Sequence, residues 1–422
     1  HVAVNGYFDA ESKTYTLTCT QSNPRASDDL PYLIPLRVAL FTAEGALIAG
    51  ADRLLQLSAR TQSFVFSNID SEPTPSLLRD FSAPIVLDFA YTPEQLTLLL
   101  AHESDPFNAW EAGQRLASTL ILDAAAAIAD GREPAWPARF VDACRHLLET
   151  QAERGAAFVA EVLTLPGEST LAEMLDIVGP DALHAARNSL RRHLAEQLEA
   201  AFFSLYSRLT VDVPYTPSSE QAGRRALRNV CLAYLLELGT EAVHQLAYSQ
   251  FKQADNMTDQ FAALAALANV NAPVCPQREA ALAEFYDQWR DEALVVDKWL
   301  LAQSTSRRPE TLATVKALTE HPAFDAGNPN KIYALIRSFG GNLVRFNAAD
   351  GSGYAFMADR ILLLHDKNPQ VASRLARCFD RWKKFDTGRQ SHARKALERI
   401  RDHEGLSRDV LEVITRSLGE SE

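Results

Sequence analysis

The chain has 422 residues, of which 47 % are hydrophobic, so it is long enough for two or three domains with substantial cores. Its net charge of −12 argues against a general binder of nucleic acids or acidic membranes. The five cysteines are far apart and odd in number, which indicates reduced thiols and predicts a cytoplasmic protein. No apolar run approaches the ~18 residues that span a bilayer.

The first residues, "HVAVNGYFD", already follow the alternating pattern of a strand. The chain begins at His1, without a methionine, and a natural chain seldom starts inside a strand. We therefore expect this sequence to be the C-terminal piece of a larger protein, part of whose function lies in the missing portion.

Residues 1–91 are predicted to form a small antiparallel, immunoglobulin-like β-sandwich of about seven short strands. Tyr15, Leu17 and Cys19 alternate with threonines, as a half-buried strand requires. Leu36, Val38 and Leu40 repeat this alternation. Further short apolar runs occur at Leu54–Leu57, Phe64–Phe66 and Ile85–Phe89.

Residues 92–422 are predicted to be helical. In "TPEQ", Thr92 has the features of a helix N-cap, Pro93 of the first helical residue and Gln95 of the partner in a capping box. Helices of ~10–20 residues with short links predict a superhelix of the HEAT or armadillo type, although no repeated sequence motif is evident. An apolar stripe spaced by three and four residues has the helical period; its members are Leu190, Leu194, Leu198, Phe202, Leu205 and Leu209. Further helix starts are predicted at Ser218–Gln221, Asn328, Asn368 and Thr387–Gln390.

No catalytic constellation is readable in this sequence. None of the ten histidines has metal-ligand spacing: "HES" at His102 is followed by Pro106 instead of a second histidine, and His184 and His193 lie on opposite faces of a helix. The motif G-x-S-x-G is absent. The glycine-rich stretch "ADGSGY", residues 349–354, lacks the lysine of a phosphate-binding loop, which favours a connection between helices over a phosphate cradle. In such a connection Gly351 and Gly353 are expected to adopt backbone angles that are closed to other residues.

One stretch is strongly basic. Between Arg374 and Arg401 there are ten lysines and arginines against three acids. A solvated helix face is the simpler interpretation, and a basic binding surface is the alternative. Trp382 beside cations is a weak signal for nucleic acid.

Five stretches together resemble one family, the bacterial aminopeptidase N family of gluzincin zinc peptidases: "SLLRDFSAPI" (76–85), "NMTD" (256–259), "VVDKWLLAQ" (295–303), "ADGSGY" (349–354) and "NPQVASRL" (368–375). The resemblance covers essentially the whole chain, in order, and corresponds to the C-terminal half of the family. In that family a zinc-containing domain precedes a β-sandwich and a helical superhelix. The family's zinc helix, its G-A-M-E-N strand and its catalytic tyrosine do not occur here.

The resemblance implies that the parent protein removes N-terminal residues from peptides with zinc-activated water. This chain alone is then expected to hold no cofactor and to be inactive. Its helical domain would cap the active-site chamber and restrict access to short peptides. Its partners would be the missing N-terminal and catalytic domains and peptide substrates, with no membrane and no nucleic acid.

Residue by residue, the resemblance singles out Arg374 in "NPQVASRL". It matches a chamber-facing arginine of the family, so its guanidinium would bind the C-terminal carboxylate of a peptide; otherwise it is a structural ion-pair partner. The alternative for the whole chain is a free-standing helical scaffold that binds a protein or nucleic acid through its concave or basic face.

Overall fold

The computed structural model describes residues 1–23, 30–211 and 213–419. These residues form two compact units. The first contains His1–Leu120 and Trp136–Leu165, and the second contains Ile121–Ala135 and the chain from Pro166 onward. The division predicted between residues 91 and 92 stays a prediction, and the last three residues of the predicted helical domain lie outside the described residues.

The predicted immunoglobulin-like β-sandwich is confirmed. Its strands form a four-stranded sheet in the order β5-β2-β1-β7 and a three-stranded sheet in the order β4-β3-β6. The strands in the described chain are β1 (Val2–Asp9), β2 (Thr14–Gln21), β3 (Ile34–Phe41), β4 (Arg53–Leu57), β5 (Thr61–Ser67), β6 (Thr74–Leu77) and β7 (Leu87–Asp88).

The alternation in the sequence sets the core of the sandwich. Tyr15, Leu17 and Cys19 point between the sheets and are buried, while the threonines between them face outward. Two details differ from the prediction. The apolar run Ile85–Phe89 supplies only the two-residue strand β7, and β7 pairs parallel to β1, so the sandwich is not wholly antiparallel.

The predicted helical architecture of the armadillo type is also confirmed. Among the described residues no helix is both long and apolar enough to cross a membrane. The helices are α1 (Pro93–His102), α2 (Pro106–Ala129), α3 (Ala138–Glu149), α4 (Gln151–Arg154), α5 (Ala156–Leu163), α6 (Glu168–Glu173), α7 (Pro180–Gln197), α8 (Glu199–Leu209), α9 (Ser219–Leu235), α10 (Glu241–Gln253), α11 (Met257–Ala268), α12 (Pro276–Trp289), α13 (Ala293–Ser304), α14 (Thr311–Leu318), α15 (Pro329–Ile332), α16 (Ser338–Gly340), α17 (Leu343–Phe346), α18 (Ser352–Leu364), α19 (Pro369–Ala376), α20 (Thr387–Arg401) and α21 (Arg408–Leu418).

Helix starts follow the local capping signals. Thr92 accepts a hydrogen bond from the Gln95 amide and Gln95 returns one to the Thr92 amide, so the capping box predicted there is present. Side-chain caps also precede α9, α15 and α19, as predicted. The start predicted at Thr387 is displaced by one residue, because Asp386 caps α20 through the Arg389 amide.

The apolar stripe predicted from Leu190 to Leu209 does not belong to one helix. It passes from α7 to α8 through Leu198, whose φ of −119° and ψ of 15° interrupt the helical backbone. Leu198 itself remains buried, so the stripe stays on one packed face although the helix breaks.

Candidate functional site

Arg374, the one residue to which the sequence assigns a substrate contact, lies in the last turn of α19. Asn368 caps this helix through the Val371 amide and Pro369 occupies its first position. Leu375 is buried and Arg374 is exposed beside it. The helix ends at Ala376, so it is only eight residues long, and a cation in the last turn is favoured by the helix dipole.

The Arg374 side chain is held by a tyrosine. Its Nη1 donates a hydrogen bond to the hydroxyl of Tyr333 over 2.9 Å, and its guanidinium carbon lies 5.9 Å from the centre of the Tyr333 ring. Tyr333 begins a π-helical turn, Tyr333–Arg337, between α15 and α16. This turn also carries Arg337, which is exposed.

Arg374 and Tyr333 line an open depression of about 880 Å³. Four guanidiniums, those of Arg337, Arg374, Arg377 and Arg381, face one lining carboxylate, Asp380. Asp380 accepts a hydrogen bond from Arg377, and Arg381 pairs with Glu173 outside the lining. Within the described chain neither Arg337 nor Arg374 lies at ion-pair distance from a carboxylate, so the depression presents two uncompensated cations.

This arrangement can bind an anion, and it shows no means of covalent catalysis. Guanidiniums bind carboxylates in a bidentate geometry, and they hold their charge at every physiological pH. Cys378 lines the same depression, but burial raises the pKa of its thiol to about 11, so the thiol stays protonated near neutrality. The structure thus places Arg374 in an open basic depression, while its contact with a substrate stays a prediction.

The glycine-rich stretch at residues 349–354 joins α17 to α18, as the simpler interpretation of the sequence expected. Gly351 has φ of +73°, which favours glycine. Asp350 accepts a hydrogen bond from the Ser352 amide over 3.0 Å, and such hydrogen bonds from Ser352 lower the pKa of Asp350. An ionised carboxylate therefore already accepts the Ser352 amide at the start of α18.

The expectation about backbone angles was wrong for Gly353. The sequence suggested that both glycines are required for their backbone angles, but Gly353 lies in the first turn of α18 and its φ is not positive. Its constraint is steric, because a Cβ atom there would lie 2.2 Å from the carbonyl oxygen of Phe346.

The basic stretch from Arg374 to Arg401 is largely paired with carboxylates. Trp382, the aromatic residue that suggested nucleic acid, is buried and donates its indole N–H to the carbonyl of Ser417. It therefore offers no exposed face on which a base could stack. The ion pairs are Arg377–Asp380, Arg381–Glu173, Lys384–Glu173, Arg389–Asp386, Arg389–Asp181, Arg399–Asp359 and Arg401–Asp402.

Histidines form pairs in the described residues, but no group of three histidine, cysteine, aspartate or glutamate residues there could hold a metal. The His102 and His146 rings are tilted to each other with centres 5.1 Å apart, and the His365 and His403 rings meet edge to face at 5.0 Å. His184 hydrogen-bonds to Glu168 over 2.7 Å. These pairs were not apparent from the sequence, because their members are far apart along the chain.

A second polar site was missed by the sequence analysis. Asn269 accepts a hydrogen bond from the Arg307 amide, and the Arg345 guanidinium donates to the Arg307 carbonyl, in both cases across 38 residues. The same separation links Ser306 to the Ala268 carbonyl. The equal spacing of Asn269, Arg307 and Arg345 was the available signal. These three residues line a cleft of about 820 Å³ with Arg191, Glu237 and His244.

Comparison with known families matches both parts of the chain. Residues 93–419 match a family described as a domain of unknown function (DUF3458_C) with ARM repeats. Residues 1–90 match a domain of unknown function (DUF3458) with an Ig-like fold.

Curated relatives extend this match. Aminopeptidase N of Escherichia coli is 37 % identical over 99 % of the chain and 48 % of that protein, and aminopeptidase N of Haemophilus influenzae is 34 % identical over 98 % and 48 %. A crystal structure of Legionella pneumophila aminopeptidase A in complex with aspartic acid superposes with a TM-score of 0.82 and 31 % identity, over 99 % of this chain and 48 % of that one. The chain thus spans about half the length of the relatives it matches.

Proposed function

The chain belongs to the DUF3458_C family of ARM-repeat domains, and we propose that it is the non-catalytic C-terminal portion of a zinc-dependent aminopeptidase. The observation that carries this proposal is the match of 99 % of the chain to 48 % of an aminopeptidase N at 37 % identity. Similarity at this level along the whole chain supports a common role for the chain within a larger enzyme.

In this proposal the missing half supplies zinc, the general base and the peptide-binding strand. Zinc would activate water for attack on the first peptide bond. The chain's partners would then be the other domains of its own protein.

The helical domain would cap the active-site chamber and admit only short peptides. Arg374 would bind the C-terminal carboxylate of such a peptide, and its bond to the Tyr333 hydroxyl would keep the guanidinium oriented before substrate arrives. Arg337, exposed on the same depression, would add a second positive charge. The absence of carboxylate partners for these two arginines in the described chain supports a ligand-binding role over a structural ion pair.

The alternative is a free-standing scaffold that binds a protein or nucleic acid. The ion pairs of the basic stretch and the burial of Trp382 weigh against nucleic acid. Localisation in the cytoplasm is part of the proposal, and the described cysteines, all free, are compatible with it.

The proposal predicts a longer protein that includes this chain, and it is tested by comparing the two. Both would be dialysed and assayed for bound zinc and for hydrolysis of alanine anilide. We expect stoichiometric zinc and hydrolysis in the longer protein, and neither in the chain alone. Zinc or peptidase activity in the chain alone would contradict the proposal.

Arg374 is tested in the longer protein with Arg374→Ala. One charge-assisted hydrogen bond contributes roughly 1.5–3 kcal/mol, so the kcat/KM for a tripeptide should fall by about ten- to a hundredfold. Alanine anilide has no carboxylate and should be affected far less. Arg374→Lys keeps the charge and should recover part of the loss.

The matched control is Arg399→Ala. Arg399 is also exposed, but it pairs with Asp359 and does not line the depression. It should leave both substrates unchanged. If Arg374→Ala lowers tripeptide and anilide turnover equally, Arg374 is a structural residue and not a substrate contact.

A further inference from the structure

The cleft lined by Arg191, Arg307 and Arg345 has the composition of a ligand site, and it shares no residue with the depression around Arg374. It lies within the second compact unit and holds about 820 Å³. Guanidiniums and asparagine amides line it together with small apolar side chains, which include Ala185, Ala233, Ala262, Ala265, Ala266 and Val270.

Positive charge in this cleft exceeds negative charge. One oxygen of Glu237, Oε1, accepts from both Arg191, at 3.2 Å, and Arg307, at 2.8 Å. The Arg345 guanidinium donates only to the carbonyl of Arg307 among its described hydrogen-bond partners. Among the described lining residues Glu237 is the one carboxylate beside these three guanidiniums, and Asp181, Glu168 and Glu310 act on Arg345 from outside the lining. A fourth lining arginine, Arg192, points to solvent and is compensated by Glu196 outside the cleft.

Burial makes this imbalance costly. The Arg191 and Arg307 side chains are only 18 % and 23 % exposed. Burial lowers the pKa of Arg191 to about 10; Glu237 opposes this shift and the positive charge of Arg307 adds to it. Burial likewise lowers the pKa of Arg345. A second negative charge inside the cleft would relieve this cost.

His244 is an independent observation that points to a ligand in this cleft. It lines the cleft, it is 5 % exposed, and its Nε2 has no hydrogen-bond partner in the described chain. Burial lowers the pKa of His244, with a smaller opposing effect of Glu241 and a further lowering by Arg278, so the ring is neutral near pH 7. A buried polar atom without a partner is destabilising unless a ligand or water pairs with it.

We propose that this cleft binds a small organic anion with two or three carboxylate groups. The guanidiniums of Arg191, Arg307 and Arg345 would pair with the carboxylates, and His244 Nε2 would hydrogen-bond to a further oxygen of the ligand. The alanine-rich wall fits the carbon skeleton of such a ligand, and the volume exceeds what a single inorganic phosphate fills. The proposal does not depend on the aminopeptidase assignment.

The binding test uses the chain as it stands. Citrate, succinate and inorganic phosphate would each be titrated into it at low ionic strength by isothermal titration calorimetry. We expect citrate to bind with 1:1 stoichiometry and at least about tenfold more tightly than phosphate, because each additional paired carboxylate adds a charge-assisted hydrogen bond. Equal affinity for phosphate and citrate, or no binding of citrate, would overturn the proposal.

Two substitutions with opposite expected effects on citrate affinity locate the site. Arg345→Gln removes a cation and should weaken citrate binding about tenfold, and Arg345→Lys should weaken it less. Glu237→Gln removes the competing carboxylate and keeps its size, so it should strengthen binding several-fold. The control Arg399→Gln removes an exposed arginine elsewhere and should change nothing.

The substitution Glu237→Gln keeps the test decisive if Arg345→Gln fails to fold. A purely structural ion-pair cluster would gain no affinity for citrate when Glu237 loses its charge. Unchanged or weaker citrate binding by folded Glu237→Gln would therefore refute the proposed site, as would equal loss of affinity in Arg345→Gln and Arg399→Gln.

Discussion

Replacing Gly353 by alanine introduces a methyl group against the main chain of the preceding helix. The new Cβ would lie 2.2 Å from the carbonyl oxygen of Phe346, 2.9 Å from its carbonyl carbon and 3.0 Å from its Cα. All three atoms belong to the backbone, so no change of rotamer can relieve the contact. Helices α17 and α18 must separate by about 1 Å, since non-bonded atoms attract only beyond roughly 3 Å.

The expected cost follows from two opposing effects. Overpacking a close-packed site lowers stability by up to about 3 kcal/mol. We use this upper value because main-chain atoms must move to make room for the methyl group. Alanine has a higher helix propensity than glycine, so the same change also stabilises the helix by up to about 1 kcal/mol. We therefore expect Gly353→Ala to lower the free energy of unfolding by about 2 kcal/mol.

The assay is urea unfolding followed by circular dichroism, with Gly179→Ala as the matched control. Gly179 also lies at the start of a helix, but its nearest foreign atom, the Cβ of Ala182, is 4.0 Å from the site of a new Cβ. That control should change stability by no more than about 0.5 kcal/mol. If Gly353→Ala costs no more than Gly179→Ala, the close approach of Phe346 does not constrain this helix start.

Two further predictions concern helix ends. Thr92→Ala should lower the free energy of unfolding by about 1 kcal/mol because the Gln95 amide loses its cap, and Thr92→Ser should restore it in the same urea assay. The pKa of Glu168 lies below its ordinary value: burial raises it, but the hydrogen bond and charge of His184, together with the charges of Arg187 and Arg307, lower it by more. A carboxyl with a lowered pKa stabilises the folded chain above its unfolded-state pKa of 4.5 and loses that contribution as the pH falls. Glu168→Gln should therefore reduce the loss of stability between about pH 5 and pH 3; an unchanged slope against pH would contradict this pairing.

Much of the fold could be predicted from sequence signals that involve only a few neighbouring residues. The capping box at Thr92 and the cap at Asn368 bond to amides within three positions, so the residues concerned are neighbours in the sequence. The period of two around Leu17 likewise records which side of a strand is buried. The resemblance to aminopeptidase N also came from the sequence, and the relatives confirm it.

Other features needed the folded backbone. Thr387 looked like a helix cap, but Asp386, one residue earlier, points at the free amides. The strand expected over Ile85–Phe89 shrinks to two residues, because only this part meets an edge of the sheet, beside β1. Gly353 and Gly351 are equivalent in the sequence, yet one is required for space and the other for its dihedral angle.

The candidate sites divide in the same way. Arg374 could be named from its motif, and its exposure follows from the helical period of α19. The hydroxyl of Tyr333 and the charge of Arg337, which make it part of a basic depression, lie about 40 residues away.

For the cleft around Arg307 the sequence offered only the 38-residue spacing, and the tertiary structure decided the rest. The sequence does not distinguish four charged residues of this cleft from those of an ordinary protein surface: Arg191, Glu237, Arg307 and Arg345. Only the stacking of helical pairs brings them together in one cleft. Periodicity in a sequence states which face of a helix is buried. It does not state which charges meet there, because the strength of a charge interaction depends on distance and burial in the folded chain, and both are set by residues far away in the sequence.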